Sequence, residues 1–443
     1  MIPVPFAELC LRLGVSCPPA AAGSMVTSVS TDTRTLRPGD LYVALPGENF
    51  DARRFVASAL AAGASSAWCR PGPDVPAGAF VVREPVRVLD ALASMVRERL
   101  AARVIAVAGS AGKTTVKEML KVLLAPIGPV VASEKSFNNH IGVPKTLLSA
   151  TSSTRILVAE VGTNHPGELG PLTRRVRPHA VVMTSIGAEH LEGFGTIDGV
   201  LREEMEAVRA LPPGGRVYIA DDCAPLSRAK FPSHVTLERV GFGPGAARRG
   251  TIEDGAAGVG VRLFDGTHLA SSLAFGWQRA NLLLAGTVAR LEGVSSAALA
   301  SAASALAPAP LRGEHRTVGS TVLLVDCYNS NPLSAGEALR DLATRTGRKA
   351  ALLGDMRELG ASSSAAHEEL GALAKACGVN DVVFVGDWGD AFARGFGRSV
   401  PVFAAAVDAR NAFERLLAGG GTVLMKASRS IALESLLECA AHG

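Results

Sequence analysis

Short apolar runs, each followed by a stretch with helical spacing, recur along most of the chain. That pattern marks strands buried on both faces and covered by helices. Runs at 104–108, 129–132, 155–161, 180–185 and 216–220 predict five strands, and a second series follows at 321–326, 349–354, 381–386 and 421–426. Such alternation predicts two doubly wound, mostly parallel sheets. Ahead of them, residues 24–85 carry shorter β-like runs at 25–30, 40–45 and 79–82. These surround a helical segment at 53–62, where Phe55, Val56, Ala59 and Leu60 recur at helical spacing. A helix over 85–100 and an Ala-rich helix with an APAP linker before Pro310 divide the chain into three expected domains, 1–85, 86–309 and 310–443.

Composition narrows the class. Hydrophobic residues make up 48% and aromatics 5%, which predicts aliphatic α/β cores rather than an aromatic platform for nucleic acid. The 45 basic and 41 acidic residues leave a net charge of +4 spread along the chain, too balanced for a polyanion partner, so no nucleic acid is expected. Seven cysteines (Cys10, Cys17, Cys69, Cys223, Cys327, Cys377 and Cys439) form no C-x-x-C pair, which favours reduced core thiols in a cytoplasmic protein. Glu8 and Arg12 interrupt what would be the apolar core of a signal peptide, so the N-terminus reads as a folded helix. The charge-free stretch 293–311 is too weakly apolar to span a bilayer, and no membrane segment is expected.

The stretch richest in chemistry is VIAVAGSAGKTTVK, residues 104–117. It reads as strand, phosphate-binding loop, helix. Gly109 and Gly112 permit a tight turn close to a ligand, the helix start offers N–H groups to an anion, Lys113 meets phosphate oxygens, and the Thr114 hydroxyl reaches a magnesium ion. The common G-x-x-x-x-G-K-[ST] spacing fails because Val107 occupies its first position, leaving a shorter G-x-x-G-K-T-T form. The bland alternative is a glycine turn followed by an exposed lysine.

Ligands of such sheets bind at the carboxyl ends of strands, which directs attention to residues just after each run. There stand Glu160, then Ala188, Glu189 and His190, then Asn138 and Asn139 ahead of a helix. In the C-terminal series they are Asp326, Tyr328, Asn329, Asn331, Asp355, Lys426, Ser428 and Arg429. Glu160 suits magnesium directly or through water, and His190 is either a less usual ligand or structural. In the N-terminal module Asp32 and Arg34 flank a turn, where Arg34 is either a fork for phosphate or carboxylate, or half of a surface ion pair.

GSAGKTT with KEML behind it, SFNNHIGVP, AEVGTNHPGEL, IGAEHLEGFG, VDCYNSNP, LGDMRELG with a following His367, and LMKASRS stand in the order and spacing of the Mur ligases. The chain resembles that family over nearly its whole length. LGDMRELG and YNSNP set it apart from the related folylpolyglutamate synthetases. The resemblance implies the three-domain α/β architecture of the family: a small N-terminal domain for a UDP-linked substrate, a central P-loop ATPase-like domain, and a Rossmann-like C-terminal domain receiving the incoming dipeptide. It implies an ATP-dependent amide ligase of cell-wall synthesis, using ATP and Mg2+ to join a UDP-MurNAc-tripeptide to D-alanyl-D-alanine through an acyl phosphate. A cytoplasmic monomer acting on these small molecules is expected. The alternatives are a related ligase with another carboxylate or amine, and a nucleotide-binding homologue without catalysis.

By the same resemblance, Gly109, Ser110, Ala111, Gly112, Lys113, Thr114 and Thr115 form the ATP phosphate loop, with Thr114 and Glu160 on one magnesium ion and His190 at a second. Asn138 and Asn139 match asparagines near the acceptor and ATP. Arg312, Asp326, Tyr328 and Asn329 match a face that closes on the nucleotide, and Thr31, Asp32, Thr33 and Arg34 the uridine-nucleotide site. Four positions depart from the pattern. Glu204 stands fourteen residues after His190, where most of these ligases carry a carbamate-bearing lysine; it is either an anionic ligand of the second metal or an exposed glutamate. The adenine-contact motif is FGWQRANLLLAG, where Asn281 matches after a one-residue deletion. Asp51, Ala52 and Arg53 replace a D-G-H motif, and Ala111 replaces a polar loop residue.

Overall fold

The structure is a computed structural model that describes residues 1–47, 51–73, 75–255 and 258–437. Residues 48–50, just ahead of Asp51, and Cys439 lie outside the described residues. The chain forms two compact units. One comprises Met1–Ala106, Gly128–Gly162 and Pro171–His179; the other comprises Val107–Ile127, Thr163–Gly170 and Ala180–Gly443.

In the first unit the N-terminal module is a four-stranded parallel sheet in the order Val29–Ser30, Leu41–Val43, Ser66–Cys69, Phe80–Val81. Tyr42, Val56, Ala59, Ala67 and Cys69 form its core, and Phe6 of the first helix, Phe6–Leu13, meets Phe80 edge-on at 5.3 Å between ring centroids. The single strand expected at 25–30 is two. Met25–Val26 pairs antiparallel with Val4–Pro5, while Val29–Ser30 joins the parallel sheet. The expected helix at 53–62 begins as a 3-10 turn, Ala52–Phe55, capped by Asp51, and continues as Val56–Ala61. Helix Val86–Arg99 buries Val88, Leu89, Leu92, Ala93, Met95 and Val96 along one stripe. Strands Val130–Ala132 and Ile156–Glu160 pair in parallel, and the sheet continues to the first residues of strand Arg103–Ala108.

The last residues of that strand belong to the second unit, where the order continues Ala180–Met183, Arg216–Ala220, Thr236–Gly241, Arg248–Arg249, with parallel pairing from Ala180 onward. A small antiparallel sheet, Thr251–Ile252, Gly260–Arg262 and His268–Ala270, follows. The last sheet has six strands, in the order Glu314–Val318, Thr321–Val325, Gly421–Lys426, Lys349–Gly354, Asp381–Val385, Val402–Phe403. Only its first pair is antiparallel, a hairpin turned at Gly319 (φ 57°). Two apolar clusters cover its faces, one around Val325, Met425 and Phe413, the other around Leu324, Leu353 and Phe384. The α/β class with doubly wound parallel sheets is as expected. Among the described residues no helix is long and apolar enough to cross a membrane.

Candidate active site

Residues 104–108 are fully buried, so the strand delivers the loop after it to a fixed place. Gly109 (φ 120°) and Gly112 (φ 85°) hold backbone angles that side chains rarely adopt, and helix Lys113–Leu123 starts immediately behind them. A Cβ on Gly109 would lie 2.6 Å from Thr184 Oγ1 and 2.7 Å from the Ser185 carbonyl oxygen. The loop is therefore pressed onto the end of the next strand. Ser110 N–H donates to the Ser185 carbonyl at 2.8 Å, Ala111 N–H to Ser185 Oγ at 2.9 Å, and Thr184 Oγ1 to the Ala111 carbonyl at 2.6 Å. Both backbone groups of Ala111 are thus engaged by residues 184 and 185. Ser185, which sequence reasoning did not single out, holds the loop through both its carbonyl and its hydroxyl, and its only signal in the sequence is its place at the end of a strand run.

Behind the loop, Gly109 N–H donates to Glu204 Oε2 at 2.7 Å. Glu204 lies on helix Ile197–Arg209 and is 1% exposed, which rules out the exposed glutamate. Burial pushes its carboxyl up to about 7; Lys113 and the Gly109 N–H work against that, and Glu189 adds to it. Lys113 Nζ donates to the Gly109 carbonyl and stands 3.9 Å from Glu189 Oε2. Burial also raises Glu189, opposed by the Lys113 and His190 charges. Next to it, His190 Nδ1 pairs with Glu358 Oε2. Burial disfavours the imidazolium, yet the Glu358 hydrogen bond and the Glu189 charge raise the His190 pKa, while the same hydrogen bond lowers that of Glu358. Asn281, on helix Gln278–Leu291, comes to the loop as well, its Oδ1 standing 2.9 Å from where a Cβ on Gly112 would be.

In the first unit, strand Ile156–Glu160 ends in a buried carboxylate. Glu160 Oε1 accepts from Asn138 Nδ2 at 3.0 Å, and Glu160 N–H donates to Ser133 Oγ at 2.9 Å. Oε2 is buried and has no hydrogen-bond partner among the described residues. An orphaned carboxylate oxygen fits a hard divalent cation, which would meet the demand that burial creates. Asn139 has a different job, since its Oδ1 accepts Ile141 and Gly142 N–H at 3.1 and 2.9 Å at the start of helix Gly142–Leu148. No group of three or more His, Cys, Asp or Glu side chains able to hold a metal occurs among the described residues. Magnesium there would need phosphate oxygens, a hydroxyl or water to complete its shell, which is its usual habit beside nucleotides.

Of the two readings of Asp32 and Arg34, the structure has the ion pair: the guanidinium donates to Asp32 through Nε and Nη2, at 2.6 Å for the latter. Arg34 is the exposed partner, its side chain 87% accessible. Arg53 and Arg70 both pair with Asp51, at 2.7 and 2.8 Å.

In the six-stranded sheet, Lys426 Nζ reaches Asp326 Oδ2 at 2.9 Å and donates to the Asn329 carbonyl at 2.8 Å, fixing the turn after strand Thr321–Val325. Arg312 lies 4.0 Å from the centroid of the Tyr328 ring, and Arg429 lies 5.6 Å from it. Asn331 caps helix Pro332–Ala343. Asp355 accepts the N–H groups of Asp387 and Trp388, and His367 Nε2 accepts that of Met356, so these residues fasten loops together.

A glycine loop at the head of a parallel sheet, buried carboxylates beside it and a further α/β sheet in the chain together mark the class. The model of the Mur ligase middle domain matches residues 107–289, and that of the Mur ligase glutamate ligase domain matches residues 312–429. The chain belongs to the Mur ligase family. It is 34% identical over 433 residues to the UDP-N-acetylmuramoyl-tripeptide--D-alanyl-D-alanine ligase of Escherichia coli, covering 93% of this chain and 92% of that one. To the ligase of the same name from Bacillus subtilis it is 29% identical, covering 96% and 95%. Among solved structures, a MurF crystal structure from Acinetobacter baumannii matches with a TM-score of 0.88 and 27% identity, covering 100% of this chain and 99% of that one. MurF from Thermotoga maritima in complex with ADP matches with a TM-score of 0.81 and 25% identity, covering 93% and 96%.

Proposed function

We propose that this chain is the ATP-dependent ligase of peptidoglycan precursor synthesis that adds D-alanyl-D-alanine to UDP-N-acetylmuramoyl tripeptide. The observation that carries this reading is the match of 93% of the chain, at 34% identity, to a ligase named for that reaction. A carboxylate is a poor electrophile. Its oxygen therefore attacks the γ-phosphorus of ATP, the bond to ADP breaks, and an acyl phosphate results. The dipeptide amine then attacks the carbonyl carbon, phosphate leaves, and the nitrogen gives up a proton.

The chain's part is positioning and charge. The first amides of helix Lys113–Leu123 donate to phosphate oxygens, and Lys113 adds a point charge on the phosphoryl group in flight. Glu204, Ser185 and Thr184 keep the loop backbone in that shape. Thr114 and Glu160 would hold one magnesium ion, and His190 with Glu204 a second. Bound there, magnesium neutralises charge on the transferring phosphoryl group.

We further assign the substrates to the chain as follows. Residues 1–85 bind the uridine nucleotide through Thr31, Asp32, Thr33 and Arg34, with the Arg34 fork exchanging Asp32 for phosphate. Residues 86–309 bind ATP, with Asn138 and Asn139 near the acceptor and Asn281 near adenine. Residues 310–443 receive the dipeptide and contribute Arg312, Asp326, Tyr328 and Asn329 to the nucleotide. The enzyme acts as a monomer in the cytoplasm.

The test is product mass. Purified protein with ATP, Mg2+ and UDP-MurNAc-tripeptide should form the pentapeptide only when D-alanyl-D-alanine is added. Equal or better product with another amine would move the assignment to a related ligase.

A further inference from the structure

His190 and Glu358 meet in an arrangement that neither sequence motif announces. His190 precedes the short helix Leu191–Phe194, and Glu358 belongs to the LGDMRELG turn after strand Lys349–Gly354. Both adopt left-handed backbone angles, φ 47° and φ 66°, although neither is glycine. Such angles cost roughly 1–3 kcal/mol each and persist where the surroundings impose them. The surroundings here are specific. Leu191 packs on the cluster containing Met356 and Leu359, and Glu192 N–H reaches the Glu358 carbonyl at 3.4 Å. A Cβ on Gly360 would lie 3.0 Å from Glu192 Cγ. The two turns fit against each other, and the product of the fit is one contact, Glu358 Oε2 on His190 Nδ1.

A carboxylate on Nδ1 fixes an imidazole in the tautomer with its proton on that nitrogen, and leaves the Nε2 lone pair for a cation. It also sets the plane of the ring. We propose that Glu358 is the positioning residue of His190: by holding Nδ1, the LGDMRELG turn aims Nε2 at the second magnesium ion beside the phosphate loop. This rests on the reading of His190 as a ligand of that ion. LGDMRELG thereby acquires a task in the reaction, and the left-handed turns at residues 190 and 358 acquire a reason.

The test is direct binding of Mn2+, followed by its EPR signal, to the full chain with a non-hydrolysable ATP analogue, in which no turnover occurs. Glu358→Ala should weaken the looser of the two Mn2+ steps by about 10–100-fold, the loss typical when the partner of a metal-bound histidine is removed. Glu358→Gln, whose amide oxygen still accepts from Nδ1, should recover most of that affinity. The tighter step should be unchanged in both, and thermal unfolding should show both to be folded. His190→Ala in the same assay separates the two layers. If it weakens the looser step while Glu358→Ala does not, His190 is a ligand and the positioning role is overturned. If His190→Ala leaves both steps unchanged, the ligand reading fails and this inference fails with it.

Discussion

Glu204 Oε2 accepts the Gly109 N–H at 2.7 Å, so a carboxylate from helix Ile197–Arg209 holds the first residue of the glycine loop. That carboxyl is held at about 7 by burial, against an ordinary value of 4.5. The folded state therefore prefers the protonated acid. The stability this preference contributes is fully present below about pH 4.5 and is lost as pH rises through 7. Gln at this position accepts the same N–H and does not titrate. In metal-free protein the unfolding free energy of the parent, relative to Glu204→Gln, should fall between pH 4.5 and 7.5, as followed by urea titrations. A difference that stays constant across this range contradicts the assignment.

Lys113 faces the Glu189 carboxylate at 3.9 Å and the Gly109 carbonyl, contacts that phosphate oxygens would replace in the proposed reaction. Lys113→Ala should reduce kcat/KM for ADP release by roughly three orders of magnitude, because a cation acting on transition-state charge in a dry site is removed. Circular dichroism should show the fold intact. Near-parental turnover would remove Lys113 from the phosphoryl-transfer step.

How much of this was legible in the sequence depended on which force acted. Strand Arg103–Ala108 and the glycine loop behind it were plain, because a strand buried on both faces is a continuous apolar run and a loop that turns onto phosphate needs its glycines. Strand Glu314–Val318 was missed because an edge strand of sequence EHRTV carries polar groups on its exposed face. The break at Thr27 and Ser28 was invisible, since both halves read as β-like and only their different partners separate them. Within the site, Glu204 came from the family resemblance, as the residue at the position of a modified lysine, yet its burial did not. LREEMEAV reads as a polar helix surface, and only the backbone amides of Gly109 for Glu204, and of Gly167 and Leu169 for Glu203, explain two adjacent buried glutamates.

Asn138 supplies the only partner to the Glu160 side chain among the described residues, leaving Oε2 unpaired. Asn138→Ala would free the carboxylate to rotate. The Mg2+ concentration for half-maximal activity should then rise about tenfold, and metal-free protein should lose about 1–3 kcal/mol of stability as the buried carboxylate loses its partner. An unchanged Mg2+ titration would mean that Glu160 is not oriented by Asn138 for a metal.

Lys426 and Asp326 form a buried pair, their side chains 3% and 10% exposed. Removing one charge strands the other. Lys426→Met should lower the unfolding free energy by about 3 kcal/mol, and Lys426→Met with Asp326→Asn should recover part of that loss, in urea titrations. A loss below about 1 kcal/mol for the single variant would show that Asp326 finds another partner or water.

The proposed reaction passes through an acyl phosphate, and the carboxylate oxygens of the tripeptide can be labelled with oxygen-18. When the carboxylate attacks ATP, one of its oxygens becomes the bridge to phosphorus and leaves with inorganic phosphate as the amide forms. Mass analysis of phosphate from a complete reaction with D-alanyl-D-alanine should find one labelled oxygen per phosphate and one retained in the product amide. Unlabelled phosphate, formed alongside pentapeptide, would contradict the mechanism.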